Sequence, residues 1–250
     1  MNPAEQDARS RALGAVARLR AAVERARDRP RADRPLPPET PGSYRAPLRP
    51  GPVFDPTDDA RPLFEPGGGK MFGVLVAADA AGEQHELRAF SGMYLGRWTL
   101  PGWVSPCFDP GEWYASEARH DPAINAITDE LPTVQRPERR RELQARRADL
   151  SRAHMRRLHR LVRLTTPAGG TLRLEDIVDL EGAPSGMGDC CAPKLLSAAH
   201  ARGWRALAVA EVFLGVHRRP SGRPHGSLHP PCEERCGPLL PHLLGACVVC

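Results

Sequence analysis

The residues best suited to chemistry in this chain are cysteines at two predicted helix starts. Cys190 precedes Cys191-Ala192-Pro193, and Pro231 precedes Cys232, with Cys236 one turn further on. Zinc prefers thiolate and imidazole ligands in a tetrahedron, and a helix N-terminus lowers a thiol pKa through its dipole and free N–H groups. Cys232 and Cys236 are expected to face the same side. The spacing therefore predicts a zinc site formed by Cys190, Cys232 and Cys236.

The spacing leaves the fourth zinc ligand open. His225 and His229 lie in the loop ahead of Cys232. We take His225 as the predicted fourth ligand, with Cys191, His229 and water as alternatives. The competing interpretation is that these thiols are buried without a metal, as cysteines often are. Among the remaining thiols, Cys107 is predicted to be structural. Cys247 and Cys250 are predicted to lie on the surface or to be disordered.

An apolar run between the two cysteine segments carries a candidate proton-transfer group. Residues 204–213 predict a buried strand, and Glu211 near its end is out of place among apolar neighbours unless it has a partner. Zinc-dependent nucleobase deaminases order helix, strand and helix in this way, and a glutamate that is not a ligand moves the proton. Where a C-x-E motif has that glutamate, this chain has Ala192. Glu211 is therefore the predicted proton shuttle, with Asp189 as the other nearby carboxylate and a plain salt bridge as the alternative role.

The overall composition indicates one core with an appended segment. The chain has 250 residues, a formal net charge of +5 and 27 prolines, which is enough length for one domain. The N-terminus lacks the basic-then-apolar order of a signal peptide, and no apolar run approaches the ~18–20 residues of a membrane span. Seven cysteines in no regular framework favour a reducing cytoplasmic compartment over a disulfide scaffold.

The chain divides into four predicted parts. Leucine and valine at three- and four-residue spacing predict an amphipathic helix near the N-terminus. Many prolines then exclude regular structure, and Phe54 and Leu63 are expected to dock this linker onto the domain. The parts are the helix, the Pro-rich linker, the main domain and a tail: residues 1–30, 31–66, 67–246 and 247–250.

The main domain is predicted to be α/β with three layers. Residues 71–78 and 84–90 predict a hairpin. The helix–strand–helix around the cysteines follows, so 71–78 and 204–213 are expected to be central strands. A short helix is predicted around 123–128, and a helix is expected over 232–244.

A basic helical insert over 137–163 is the most polar part of the domain. Its thin apolar stripe predicts a helix that projects into solvent or against a polyanion. A solvated face or a coiled-coil arm is the alternative to RNA contact, because phosphate attraction carries no sequence specificity. The predicted RNA-binding residues are Arg139, Arg140, Arg146, Arg147, Arg156, Arg157 and Arg160.

Several separated segments resemble, in the same order, the N-terminal extension of long bacterial RluA-type pseudouridine synthases. They are 70–76 (KMFGVLV), 89–92 (AFSG), 188–196 (GDCCAPKLL), 210–215 (AEVFLG) and 225–236, which begins His-Gly and ends Pro-Cys-x-x-x-Cys. The resemblance spans roughly 54–245 and implies a role in RNA modification, with tRNA or rRNA as partner, beside a synthase domain. The nearest string to that domain's H-R-L-D motif is His159-Arg160-Leu161-Val162, with Val in place of the aspartate.

These observations support three competing functions. The preferred prediction is an accessory RNA-binding module with a structural or vestigial zinc site and a cytidine-deaminase-like core. The first alternative is an active zinc-dependent nucleobase deaminase or hydrolase. The second alternative is a metal-free domain whose basic helix binds a protein partner.

Overall fold

A computed structural model of the chain describes residues 2–29, 53–219 and 222–250. The α-helices in these residues are α1 (Pro3–Arg27), α2 (Pro110–Glu130), α3 (Pro137–His159), α4 (Cys191–Ala201) and α5 (Leu240–Leu243). The strands are β1 (Lys70–Ala78), β2 (Gln84–Phe90), β3 (Arg163–Thr165), β4 (Thr171–Arg173), β5 (Arg205–Leu214), β6 (Leu228–His229) and β7 (Val248–Val249). Helices and an antiparallel hairpin alternate along the chain, so the predicted α/β class is confirmed.

A five-stranded sheet forms the centre of the molecule. Its strand order is β2-β1-β5-β6, and β7 runs parallel beside β5. β1 is antiparallel to both β2 and β5, with Gly73 opposite Ala89 on one side and Glu211 on the other. The apolar runs predicted to be the central strands and the predicted hairpin are therefore present, and their ends agree to within one residue.

Helices cover both faces of this sheet. The small and branched residues of α1, which include Ala12, Val16 and Val23, pack against one face. Leu195 and Leu196 of α4 pack against the other, where α2 and α3 extend the same core through Trp113 and Leu158. The result is three layers, with the sheet between α1 and α4. No helix among the described residues is long and apolar enough to cross a membrane.

The linker and the basic insert differ in extent from the predictions. Phe54 and Leu63 are 5% and 0% exposed, so the predicted docking of the linker is confirmed for its described end; residues 31–52 lie outside the described residues. The predicted short helix around 123–128 is part of the much longer α2, which contains Pro122. The basic helix α3 ends at His159 and packs against α2 along its buried stripe.

The C-terminal region also differs from its prediction. Residues 232–244 form a series of turns and the short α5, because Pro238 has no N–H to donate within a helix and Gly237 favours a turn. The predicted tail contains β7, in which Val248 and Val249 pair with Ala208 and Val209 of β5. Cys247 is consequently half-buried, and burial raises the pKa of its thiol to about 12.

Gly73 permits the close approach of α4 to the sheet. A Cβ at this position would lie 2.7 Å from Cys191 Cβ and 3.0 Å from Leu195 Cδ1. Replacing it by alanine is expected to lower the free energy of unfolding by ~1–3 kcal/mol, the usual cost of overpacking a core. Chemical denaturation measures this change.

Gly14→Ala is the matched control for that substitution. Its nearest neighbour would be the flexible end of Arg18, at 3.5 Å, in the interior of α1. Alanine is the better helix former, so this change is expected to raise stability by ~0.5–1 kcal/mol. Equal stability of Gly73→Ala and the unchanged chain would contradict the tight contact between α4 and β1.

Candidate metal centre

Three thiols converge at the start of α4. Cys190 Sγ lies 3.9 Å from Cys232 Sγ, which lies 3.5 Å from Cys236 Sγ. All three sulfurs are within 4.8 Å of one another. A tetrahedral zinc with bonds of ~2.3 Å to sulfur requires sulfurs ~3.8 Å apart. The cluster could therefore hold a metal ion, and its spacing and donor set fit zinc.

Local backbone structure places each of these thiols. Cys190 is the N-cap of α4, with extended backbone ahead of the first helical residue. In the second segment, the N–H groups of Cys236 and Gly237 both donate to Cys232 O, at 3.1 and 3.0 Å. This single turn keeps Cys232 and Cys236 on one side, although the predicted longer helix is absent. Cys191 points elsewhere, because its thiol donates to Met71 O at 3.4 Å.

The structure does not bring the predicted fourth ligand, His225, into the cluster. Its Nδ1 accepts the Gly215 N–H at 2.9 Å, and its Nε2 lies 3.1 Å from Glu24 Oε1. Its ring also packs against Phe64, with centroids 5.1 Å apart. His225 therefore fastens the loop before β6 to α1.

No fourth metal-binding side chain of the described residues joins the three thiols. His229 lies opposite Glu211 in the sheet, and its Nε2 is 2.7 Å from Ser227 Oγ. Structural zinc sites have four protein ligands, whereas catalytic sites have three and leave a position for water or substrate. Three thiols alone would leave one position of a tetrahedral zinc ion without a side-chain ligand.

Hydrogen bonds among the thiols favour a thiolate at Cys190. A hydrogen bond with Cys236 lowers the pKa of the Cys190 thiol to about 7. Cys232 and the charge of Arg235 also lower this pKa, whereas burial raises it. The pKa of Cys236 is raised, chiefly by the same hydrogen bond. Zinc binds the thiolate form, so this arrangement favours metal binding near neutral pH.

Glu211, the predicted proton shuttle, contacts the first turn of α4, which begins at Cys191. Its side chain is 5% exposed, and its Oε1 accepts the N–H of Ala192 at 2.7 Å. Burial raises its pKa to about 7; the Ala192 hydrogen bond opposes that rise, and negative charge on Cys190 adds to it. A carboxyl group with this pKa exists in both forms at neutral pH, as a proton-transfer group requires.

A buried ion pair next to Cys190 was missed by the sequence reasoning. Lys194 Nζ lies 2.9 Å from Asp189 Oδ1, and the two side chains are 0% and 6% exposed. Lys194 Nζ also lies 5.1 Å from the centroid of the Phe90 ring. Nearby, Lys70 Nζ donates to Ser91 O at 2.8 Å; burial, followed by the charge of Lys194, lowers the pKa of Lys70 to about 8. The signal in the sequence was a lone lysine among the apolar residues of α4.

A second group of metal-binding residue types lies at the turn between β1 and β2. It consists of Asp79, Glu83 and His85. Asp79 Oδ1 accepts the N–H groups of Ala81 and Glu83, each at 2.9 Å, and the ring of His85 stacks on Trp204. Turn formation and stacking therefore account for these residues.

The predicted RNA-binding arginines differ in their surroundings. Arg156 and Arg160 pair with Glu181 and Glu175, at 2.6 and 3.3 Å. Two others have local partners on α2 or α3: Arg139 with Glu130 and Glu142, and Arg147 with Thr128 Oγ1. Three have no acidic partner among the described residues: Arg140, Arg146 and Arg157.

Comparison of this chain with protein-family models, with curated proteins and with solved structures found no match.

Metal analysis tests the thiol cluster directly. The purified protein, loaded with zinc and desalted, is expected to keep about one zinc per chain. Cys232→Ser is expected to lose it, because two thiols cannot complete the site. Substituting cobalt for zinc adds a second readout, since thiolate-to-cobalt absorption reports the sulfur ligands.

Two control variants define the ligand set in that measurement. Cys247→Ser removes a thiol outside the cluster, and His225→Ala removes the histidine held by Glu24 and Gly215. Both are expected to keep their zinc. Zinc loss in His225→Ala with an intact fold would contradict the three-thiol centre, as would absence of metal from the unchanged chain.

Proposed function

We propose that this chain is an RNA-binding module of RNA modification that carries a zinc centre and acts beside a pseudouridine synthase. The observation that carries the RNA-binding part of the proposal is a row of exposed arginines on α3, and the synthase partner rests on the resemblance of the sequence segments. Arg139, Arg146 and Arg157 are two and three helical turns apart, so they share one face over ~27 Å. A row of cations on a rigid helix suits the repeated phosphates of a polynucleotide.

The contacts at the end of α3 support a connection between this row and the metal centre. Arg156 and Arg160 pair with Glu181 and Glu175, which belong to the segment leading to Cys190. In the same segment, Gly188 packs closely against Val162, because a Cβ placed on Gly188 would lie only 2.8 Å from Val162 Cγ1. RNA bound along α3 would therefore lie in a fixed relation to the cysteine cluster.

Neutralising the row is expected to weaken RNA binding. Arg146→Gln combined with Arg157→Gln removes two exposed charges without acidic partners. Affinity for a single-stranded RNA of about twenty nucleotides should fall roughly tenfold at low salt, and the salt dependence should lose ~1.4 units of slope. Fluorescence anisotropy at several salt concentrations measures both.

Arg141→Gln combined with Arg152→Gln is the matched control for this pair. These residues have the same spacing on the same helix, but they lie ~140° around the helix axis from Arg146 and Arg157. Each pairs with an acidic residue three positions before it: Arg141 with Glu138, and Arg152 with Asp149. This control is expected to bind RNA almost as the unchanged chain does. Equal loss in both double variants would indicate nonspecific charge rather than an RNA-binding face.

A second candidate function is zinc-dependent deamination of a nucleobase, and the position of Glu211 favours it. A zinc ion held by the three thiols would supply an acidified water at the open position. Ala192 N–H orients Glu211 through Oε1. Its other oxygen, Oε2, would accept a proton from water and pass it to the base, where the amine leaves as ammonia.

Glu211→Gln tests this second candidate. The amide oxygen can still accept from Ala192, so fold and zinc content should be retained, while ammonia release from RNA bases should fall by ~10²–10⁴-fold. Glu24→Gln, which removes a carboxylate held by Arg20 and His225, is the control. Ammonia release that is undetectable in the unchanged chain, or unaffected by Glu211→Gln, would exclude deamination through Glu211 and leave the RNA-binding proposal standing.

A further inference from the structure

We propose that a cavity beside α4 binds one nucleotide, and that Arg163 and Arg202 hold its phosphate. The cavity has a volume of about 560 Å³ and lies between α4, the start of α2 and the residues that follow α3. Cavities of ~300–1,000 Å³ are typical of small-molecule sites. This inference rests on the proposed function, because the nucleotide is either one residue of the bound RNA or a free molecule of the same chemistry.

One face of α4 forms a wall of this cavity. Lys194, Ala198 and Ala201 line it at spacings of four and three residues, which place them on the same side of the helix. The two alanines have small side chains, which leave the cavity open. Trp103 and Phe108, each 7% exposed, add apolar surface against which a nucleobase can pack.

Two exposed arginines line the same cavity and have hydrogen-bond donors to spare. Arg163 follows α3, and its Nη1 donates to Arg160 O and to Val162 O, the latter at 3.0 Å. Arg202 follows α4, and its Nη1 donates to Ala198 O at 2.6 Å. These bonds fix one nitrogen of each guanidinium, and the other side-chain N–H groups have no hydrogen-bond partner among the described residues. Guanidinium groups bind phosphate oxygens through two parallel hydrogen bonds.

The other charged residues of the cavity wall are already placed against opposite charge. Lys194 pairs with Asp189 at 2.9 Å. Asp109 caps α2, and its Oδ1 accepts the Glu112 N–H at 3.0 Å. Asp109 and Glu112 thus lie at a helix N-terminus, where free N–H groups and the helix dipole stabilise negative charge. The two arginines form no ion pair with any acidic residue among those described, so their charges are available to an anionic ligand.

The end of α3 brings the row of arginines to this cavity. Arg163 N–H donates to Cys107 O at 2.6 Å, and both residues line the cavity. Arg157, the last arginine of the row, lies six positions before Arg163. An RNA strand that follows the row towards the C-terminal end of α3 would therefore reach the cavity, where one unstacked nucleotide can bind.

Binding measurements on the zinc-loaded protein test this inference. The probes are a nucleoside, its 5′-monophosphate and a dinucleotide with one bridging phosphate, all of them too short to follow the row on α3. Arg163→Gln and Arg202→Gln are each expected to weaken binding of the monophosphate or the dinucleotide about tenfold, because each removes a charge-assisted hydrogen bond to phosphate. Nucleoside binding should stay the same, and isothermal titration calorimetry measures all three. A larger loss for the monophosphate identifies a free nucleotide as the ligand, and a larger loss for the dinucleotide identifies a nucleotide within a chain.

Two further variants test the cavity and the effect of charge. Ala198→Phe would fill the cavity, so binding of all three probes should fall by about tenfold or more while zinc content stays the same. Arg25→Gln is the matched control for charge, because Arg25 is exposed on α1, which covers the other face of the sheet. It should bind every probe as the unchanged chain does.

Three results would overturn the inference. The first is unchanged binding of the monophosphate and the dinucleotide in both arginine variants, or an equal loss in Arg25→Gln. The second is unchanged binding in a folded Ala198→Phe variant, which would place the ligand elsewhere. The third is an equal loss for nucleoside and monophosphate in the arginine variants, because a nucleoside has no phosphate to lose. Binding of the longer RNA by the α3 variants is measured separately, so a failure of this inference leaves the RNA-binding proposal standing.

Discussion

The arrangement around the cysteines depends on a buried charge that must be paired. Lys194 has no exposed surface, and its ammonium reaches Asp189 at 2.9 Å. An unpaired charge in this position would cost several kcal/mol, so the segment before α4 must keep Asp189 where Lys194 can reach it. The backbone of Asp189 in turn accepts the N–H of Gly92 at 3.1 Å. These contacts join the end of β2 to the residue immediately before Cys190, and they fix the first of the three thiols.

The second constraint is the missing side chain at Gly73. Because β1 has no Cβ there, the first turn of α4 lies against the strand, and Ala192 N–H comes within hydrogen-bond distance of Glu211. Gly73, Glu211 and His229 are consecutive cross-strand partners on β1, β5 and β6. A glycine, a carboxylate and an imidazole thus form one row across the sheet, from the core to the rim. The close packing that stabilises the domain also places the carboxylate beside the thiols.

The sequence was sufficient to predict the elements that have strong local signals. The central strands are long apolar runs, and α4 begins where Cys190 and Pro193 mark a helix start. β7 could not be predicted, because two valines are too short a signal and the strand exists only through pairing with β5. The turn at Cys232 was predicted as a helix because Cys232 follows Pro231. Its first hydrogen bond, from Cys236 N–H to Cys232 O, is indeed helical, but the chain continues as turns.

The cluster of three thiols was predictable from the sequence, but the contacts that support it were not. Cys spacing identified the three thiols, whereas the location of His225 depends on Glu24, which lies on a helix about 200 residues earlier. The same holds for α3, whose composition predicted an isolated basic helix. Its pairs with Glu175 and Glu181 join residues that only the tertiary fold brings together. Composition cannot separate arginines that stabilise the fold from those that are free to bind a polyanion.

Ala192 need not mean that the centre has lost its carboxylate. What positions a proton-transfer group at a helix start is the free N–H of the first turn, and that donor belongs to the backbone of residue 192 whatever its side chain. Glu211 reaches this donor from β5 at 2.7 Å. A strand in the middle of a sheet holds its side chain more rigidly than a helix end, and burial keeps the Glu211 carboxyl pKa at about 7. In the deamination candidate, Glu211 would therefore take the place of the glutamate of a C-x-E motif, held by the backbone of residue 192.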